Sequence, residues 1–361
     1  MGFAFNSLPF NTLVGADRAT FNQITRWANI ENRERYYTTK LCERLLSPLY
    51  TINSRKFEQI QPPTIISPVF IIGHWRSGTT FVHNLLSRDP QFGYCTTYQT
   101  VFPHLMLCGD SLFRRVAGWC MPDSRPTDHL HLSVEQPQEE EFAVANMTHA
   151  AFYHFWIFPQ NMELYRNRYL LFDTCSEHDR NDFCRATKKM MQTALYCQGK
   201  PRFLSKNPPH TARISLLLQM FPDAKFIYIV RNPYAVISST RRFFRSTISA
   251  LSLQSIPSRE LEFQILNCYR AMIDRYESER HLIPSQNLFE VRFEEFSADP
   301  IQGIEEIYNS LNLGNFNAIA DSVAEYAASQ ANFRQSHHKN SATSTKLIEK
   351  YCSATFKRWN Y

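Results

Sequence analysis

Two rhythms of hydrophobic and polar positions run along this chain. Short β-branched and aromatic runs at 69–72, 202–205, 226–230 and 288–292 are bounded by Pro, Gly, Asn or charged residues. They predict strands, with 69–72 apolar enough for the interior of a parallel sheet. Between them apolar positions recur at helical spacing: Phe81, Val82, Leu85 and Leu86, then segments from about 211 to 219, from about 235, near 259–280 and near 300–311. Strand followed by helix, repeated, predicts parallel pairing with right-handed crossovers. Upstream, Phe21, Ile24, Trp27 and Ile30, then Leu41, Leu45, Leu46 and Leu49, predict two N-terminal helices running toward Pro62-Pro63. Pro137, the acids after it and Phe142, Val144, Ala145 and Met147 have the marks of a helix start, and 178–197 reads as an amphipathic helix. The stretch 95–130, rich in Thr, Tyr, Pro, Cys and aromatic residues, suits a cleft wall or lid. The expected fold is α/β, a P-loop-like three-layer arrangement of a central parallel sheet flanked by helices, with helical insertions. An N-terminal helical segment (1–65) is expected to pack on a single domain (66–361) that carries an insertion at about 95–200.

Composition narrows the class. The 361 residues are 43% hydrophobic and 20% charged, which excludes wholesale disorder and allows a large core. A net charge of +6 favours anionic ligands, yet no basic stripe of the nucleic-acid-binding kind is present. Nine cysteines without a C-x-x-C pair suit reduced thiols in a cytoplasmic protein. No apolar run approaches a membrane span in length.

Candidate chemistry concentrates after the first strand, in Gly73-His-Trp-Arg-Ser-Gly-Thr-Thr80. A strand, a tight turn and a helix start direct backbone N–H groups at one spot, and the helix dipole reinforces them for an oxyanion. The spacing resembles the P-loop pattern G-x-x-x-x-G-K-[ST]. Thr79, however, stands where the Lys belongs, and the cation sits at Arg76. That departure disfavours ordinary ATP or GTP chemistry. An ordinary exposed turn with a stray Arg is the plainer alternative. Lys206 and Arg231 follow two further predicted strands. Ligands of open parallel sheets lie at the carboxyl ends of strands, so these cations and Arg76 are placed to converge on one polyanion. Ser239, eight residues past Arg231, is placed to share a phosphate with it.

With these residues in view, the chain resembles PAPS-dependent sulfotransferases, the bacterial type with motifs related to the tyrosylprotein enzymes. Arg76-Ser-Gly-Thr-Thr80 is similar to the family's 5′-phosphosulfate loop, and Ile229-Val-Arg-Asn-Pro233 through Ser239 to its 3′-phosphate motif. The segment 206–213 is similar to the region preceding that motif, and the likeness runs from about 68 to 291. The resemblance implies PAPS as co-substrate, PAP as product and no required metal. It implies that Arg76, Ser77, Gly78, Thr79 and Thr80 hold the 5′-phosphosulfate, that Arg231 and Ser239 hold the 3′-phosphate, and that Phe81 stands where many members stack adenine on Trp. Arg76 and Lys206 would oppose the charge that grows on the departing oxygen.

The general base departs from the family pattern. Pro208 occupies the position of the cytosolic members' His, and Thr96-Thr97-Tyr98 replaces the Glu of tyrosylprotein members. Glu139, Glu141 and His210 are the candidates, with Glu140 ranked below them. Adjacent acids at a helix start are often dipole complements on a solvated face, and His210 is equally readable as a core histidine. The His129/His131 and His337/His338 pairs lack a convincing third metal ligand, and the family's C-terminal glycine-rich nucleotide motif is absent in recognisable form; the basic stretch 334–340 reads either as a segment closing over the nucleotide or as a solvated loop. The expected acceptor is a small molecule, apolar or aromatic if 98–158 lines the cleft, cationic if the acids do. A P-loop kinase or NTPase, and a non-catalytic nucleotide-binding protein of the same fold, are the alternatives.

Overall fold

The computed structural model describes residues 9–26, 28–107, 134–330 and 342–361. His129, His131, His337, His338 and the stretch 334–340 lie outside the described residues. The chain folds as two compact units: Met1–Thr64, Tyr94–Gly199 and Arg242–Leu261 form one, and Ile65–Gly93, Lys200–Arg241 and Glu262–Tyr361 the other.

The second unit is built on a sheet of five parallel strands: β1 (Val69–Ile72), β2 (Phe92–Gly93), β3 (Arg202–Lys206), β4 (Lys225–Val230) and β5 (Leu288–Arg292), in the order β2-β3-β1-β4-β5. All four residues of β1 are fully buried, as its unbroken Val-Phe-Ile-Ile run requires of a strand covered on both faces. Val69 and Ile71 join Ile227 and Ile229 on one face, over Val82, Leu85 and Leu86 of the helix Thr79–Leu86 and over Ile304, Ile307 and Leu311 of the helix Pro300–Leu311. On the other face Phe70 packs against Phe226 and Phe221, and the Tyr228 ring stacks on Tyr276 at 3.8 Å. The fold is therefore α/β with a parallel sheet between helical layers, as the patterning predicts. From β1 the chain leaves toward β2, whereas from the adjacent β3 it crosses to β4 on the other side. Their carboxyl ends thus mark a topological switch point, the usual crevice for a ligand.

The first unit is helical. It contains Arg18–Thr25, Arg33–Gln59, Glu141–Met147 and Glu177–Gln198. An antiparallel strip joins its parts: Thr97 N–H donates to Gln136 O, Tyr98 N–H to Val134 O, and Gln138 N–H to Cys95 O. This pairing claims the backbone before Glu139, so the helix expected from Pro137 starts only at Glu141.

Candidate active site

The loop after β1 is held open by two glycines. Gly73, at φ 141°, has its N–H on Thr211 Oγ1 at 2.7 Å, and a Cβ there would lie 2.4 Å from Ile229 O. Gly78, at φ 102°, precedes the helix Thr79–Leu86, and a Cβ there would lie 2.1 Å from the Phe293 ring. Neither position accepts a side chain without displacing backbone or an aromatic ring. Between them the Ser77 hydroxyl donates to His74 O at 2.7 Å, and Ser77 N–H donates to the same oxygen. Arg76 adopts φ 68°, a left-handed conformation that is costly for a residue with a Cβ and that clusters at ligand-clamping loops. Phe81 N–H donates to Gly78 O, while the N–H groups of Gly78, Thr79 and Thr80 find no acceptor among the described residues. Converging donors at a helix N-terminus, with the dipole behind them, make a seat for an oxyanion.

The predicted cations gather at this seat. Arg76 Nε donates to Ser239 Oγ at 3.0 Å, and Arg231 Nη1 donates to Arg76 O at 3.2 Å. Ser239 reaches Arg76 because it lies two turns into the helix Pro233–Leu251, which starts where β4 ends. Arg231 lies 5.0 Å above the Phe293 ring. Burial lowers its pKa, Glu294 opposes that shift and neighbouring Arg76 adds to it. Glu294 also accepts from Asn232 N–H at 3.0 Å, which fixes the chain just past the arginine. Lys206 is the fully buried last residue of β3, in register with Ile71 and so two positions before Gly73 at the same sheet end. Phe81 is half-buried, with the Phe296 and Tyr326 rings 6.0 and 6.4 Å away.

The acids occupy the first unit. Glu140 and Glu141 are each 1% exposed, so this helix start is not a solvated face. Glu141 Oε1 accepts Phe152 N–H at 3.0 Å. Glu139 is half-buried and accepts the Tyr153 hydroxyl, whose ring lies 4.7 Å from that of Phe142. The antiparallel strip places these acids directly after the chain that pairs with Thr96-Thr97-Tyr98, the position where the sequence lacks the acid of related motifs. His210, in the second unit, is buried edge-on to Phe70 with its ring nitrogens 3.4 Å from Asn207 Nδ2.

Sequence reasoning missed Phe293, which floors both Gly78 and Arg231, and Thr211, which anchors Gly73. It also missed His74, buried against Tyr269 and Trp75 with Nδ1 on Trp75 O; burial pushes its pKa down to about 4. Arg292, the last residue of β5, is a further strand-end cation of the kind that flagged Lys206 and Arg231, but that rule picks out no aromatic ring. Among the described residues no group of three or more His, Cys, Asp or Glu side chains is placed to hold a metal, and no helix is long and apolar enough to cross a membrane.

The sequence profile of the Sulfotransferase family matches residues 68–317. The omega-hydroxy-beta-dihydromenaquinone-9 sulfotransferases Stf3 of Mycobacterium bovis and Mycobacterium tuberculosis are each 28% identical over 294 residues, covering 81% of this chain and 75% of theirs. The crystal structure of sulfotransferase STF9 from Mycobacterium avium superposes with a TM-score of 0.66 at 18% identity, covering 88% of this chain and 82% of that one. STF1 from Mycobacterium tuberculosis H37Rv gives 0.62 at 15% identity, covering 93% and 90%.

Proposed function

The chain belongs to the sulfotransferase family and is an enzyme of that class, and we propose that it moves a sulfuryl group from PAPS to a small-molecule acceptor. The observation that carries this reading is the joined set of Arg76, Arg231 and Ser239 beside the donor-lined turn at Gly78–Thr80. In it the turn with Arg76, Ser77, Thr79 and Thr80 holds the 5′-phosphosulfate, Arg231 and Ser239 hold the 3′-phosphate, and Phe81 packs against adenine. An acceptor hydroxyl or amine attacks sulfur in line, the bond from sulfur to the bridging phosphate oxygen breaks, and PAP departs with that electron pair. Arg76 and Lys206 face the charge that accumulates on the departing oxygen; fixed cations in a desolvated site are worth more there than in water. A sulfuryl group carries less charge than a phosphoryl group, so these residues suffice without a metal.

The acceptor proton passes to a carboxylate or an imidazole. Glu139 is the first candidate because it is half-buried and oriented by Tyr153; Glu141 and His210 follow. For the acceptor we favour the hydroxyl of an apolar molecule, supported by the menaquinone-derived acceptor in the relatives' name and by the aromatic residues around 142–156.

Thermal-shift titration tests the donor. PAP without magnesium is expected to stabilise the protein by about 2.7 kcal/mol at a hundredfold excess over Kd, while ATP with magnesium leaves Tm unchanged. Radiolabelled sulfate should then pass from PAPS to an apolar alcohol. The opposite preference in the titration overturns the reading in favour of an ATP-dependent enzyme.

A further inference from the structure

The long helix Arg33–Gln59 carries a line of apolar residues on its outer face. Its buried residues are Thr39, Glu43, Tyr50 and Asn53, all polar or hydroxyl-bearing. They are used: Thr39 Oγ1 accepts Asn11 N–H at 3.1 Å and donates to Arg35 O, Tyr50 Oη donates to Val14 O at 2.7 Å, and Asn53 Oδ1 accepts Leu107 N–H at 2.7 Å. Leu46 and Leu49 pack inward against Tyr50, Tyr98 and Leu105, yet the opposite face also carries apolar residues: Tyr37, Leu41, Leu45 and Ile52 are 62%, 58%, 70% and 50% exposed. Tyr37, Leu41 and Leu45 recur every four residues and Ile52 continues their line seven residues on, a ridge about 22 Å long at 1.5 Å per residue. A surface helix of a water-soluble protein normally keeps that outer face polar.

The charge around the ridge selects the partner. Arg33, Arg44, Arg55 and Lys56 are exposed beside it or at its ends, with Glu34 and Glu58 the exposed acids of the helix, while Glu43 is buried. An apolar ridge inside a net-positive rim fits an anionic bilayer, where Leu and Ile enter the acyl boundary, Tyr sits at headgroup level and the cations meet lipid phosphates. Two copies packed ridge to ridge would bring the same cations together. We propose that this face docks the protein flat on an anionic membrane surface. The inference is independent of the sulfuryl-transfer reading.

Vesicle co-sedimentation of the full chain tests it, using 3:1 phosphatidylcholine:phosphatidylglycerol against pure phosphatidylcholine. Binding should require the anionic lipid and weaken with salt. Leu41→Ser with Leu45→Ser should lower partitioning at least tenfold, and Arg44→Gln with Arg55→Gln should also lower it and flatten the salt dependence. All these side chains are exposed, so circular dichroism and the PAP thermal shift should match wild type. Failure of the wild-type protein to bind either vesicle overturns the proposal. So does unchanged binding by the Leu pair. A ridge-dependent dimer in sedimentation equilibrium, broken by the same Leu pair and indifferent to vesicles, overturns it in favour of a second copy of the chain.

Discussion

At the scale of single residues, the candidate anion site rests on contacts that are specific to residue type. Arg231 donates to the backbone of Arg76 and lies over an aromatic ring, geometry suited to a planar guanidinium. Arg231→Ala is expected to raise KM for PAPS by ~10- to 100-fold with a smaller change in kcat, the size of a lost charge-assisted hydrogen bond. Arg231→Lys should recover only part of that loss, as initial-rate kinetics at varied PAPS will show. Gly78 stands in a different relation to the same ring. Gly78→Ala forces a Cβ into Phe293 at positive φ and should cost about 2–4 kcal/mol, from overpacking and left-handed strain together. Urea unfolding of G78A, F293L and the double variant separates the two, because only the overpacking part is relieved by the smaller side chain.

At the scale of elements, β1, β3, β4 and β5 were legible almost residue for residue, because β-branched runs between Pro, Gly and charged stops carry both type and limits. The edge strand β2 was not, since two residues, Phe92 and Gly93, have no period to read. The helix Phe293–Ala298 was also missed; nothing local in Phe293-Glu-Glu-Phe296 says that its first ring will lie beneath a loop more than two hundred positions earlier. The helix expected from Thr211 begins at Ile214, because Pro208–Ala212 is wound as a 3-10 turn that presents Thr211 to Gly73. In the site, strand-end cations were readable from position alone, whereas the burial of Glu140 and Glu141 came from pairing with a distant segment and had no local signature. The acidic helix start yields its own expectation. Glu139→Gln should lower kcat by ~10²-fold or more in initial-rate kinetics if Glu139 takes the acceptor proton. A comparable loss in Glu141→Gln or His210→Gln, with Glu139→Gln near wild type, reassigns the role.

At the scale of the whole molecule, each unit keeps a histidine buried and uncharged. Burial pushes both His74 and His154 down to about 4 from an ordinary value of 6.5. Below pH 6.5 the unfolded chain takes up protons that the folded chain refuses. Stability should therefore fall as pH drops from about 6.5 to 4 and level off below, by up to about 3 kcal/mol per histidine. Urea midpoints at pH 7 and pH 5 check this, and His154→Phe should make the dependence shallower. The Phe293 ring beneath Gly78 and Arg231 also sets a timetable for the nascent chain. The loop at 73–80 leaves the ribosome about 215 residues before its floor and Glu294, which both lie on the helix Phe293–Ala298 that follows β5. Until that helix is made the loop lacks the ring beneath Gly78 and Arg231, so the candidate donor-binding loop can be completed only after the last of the five parallel strands has been synthesised.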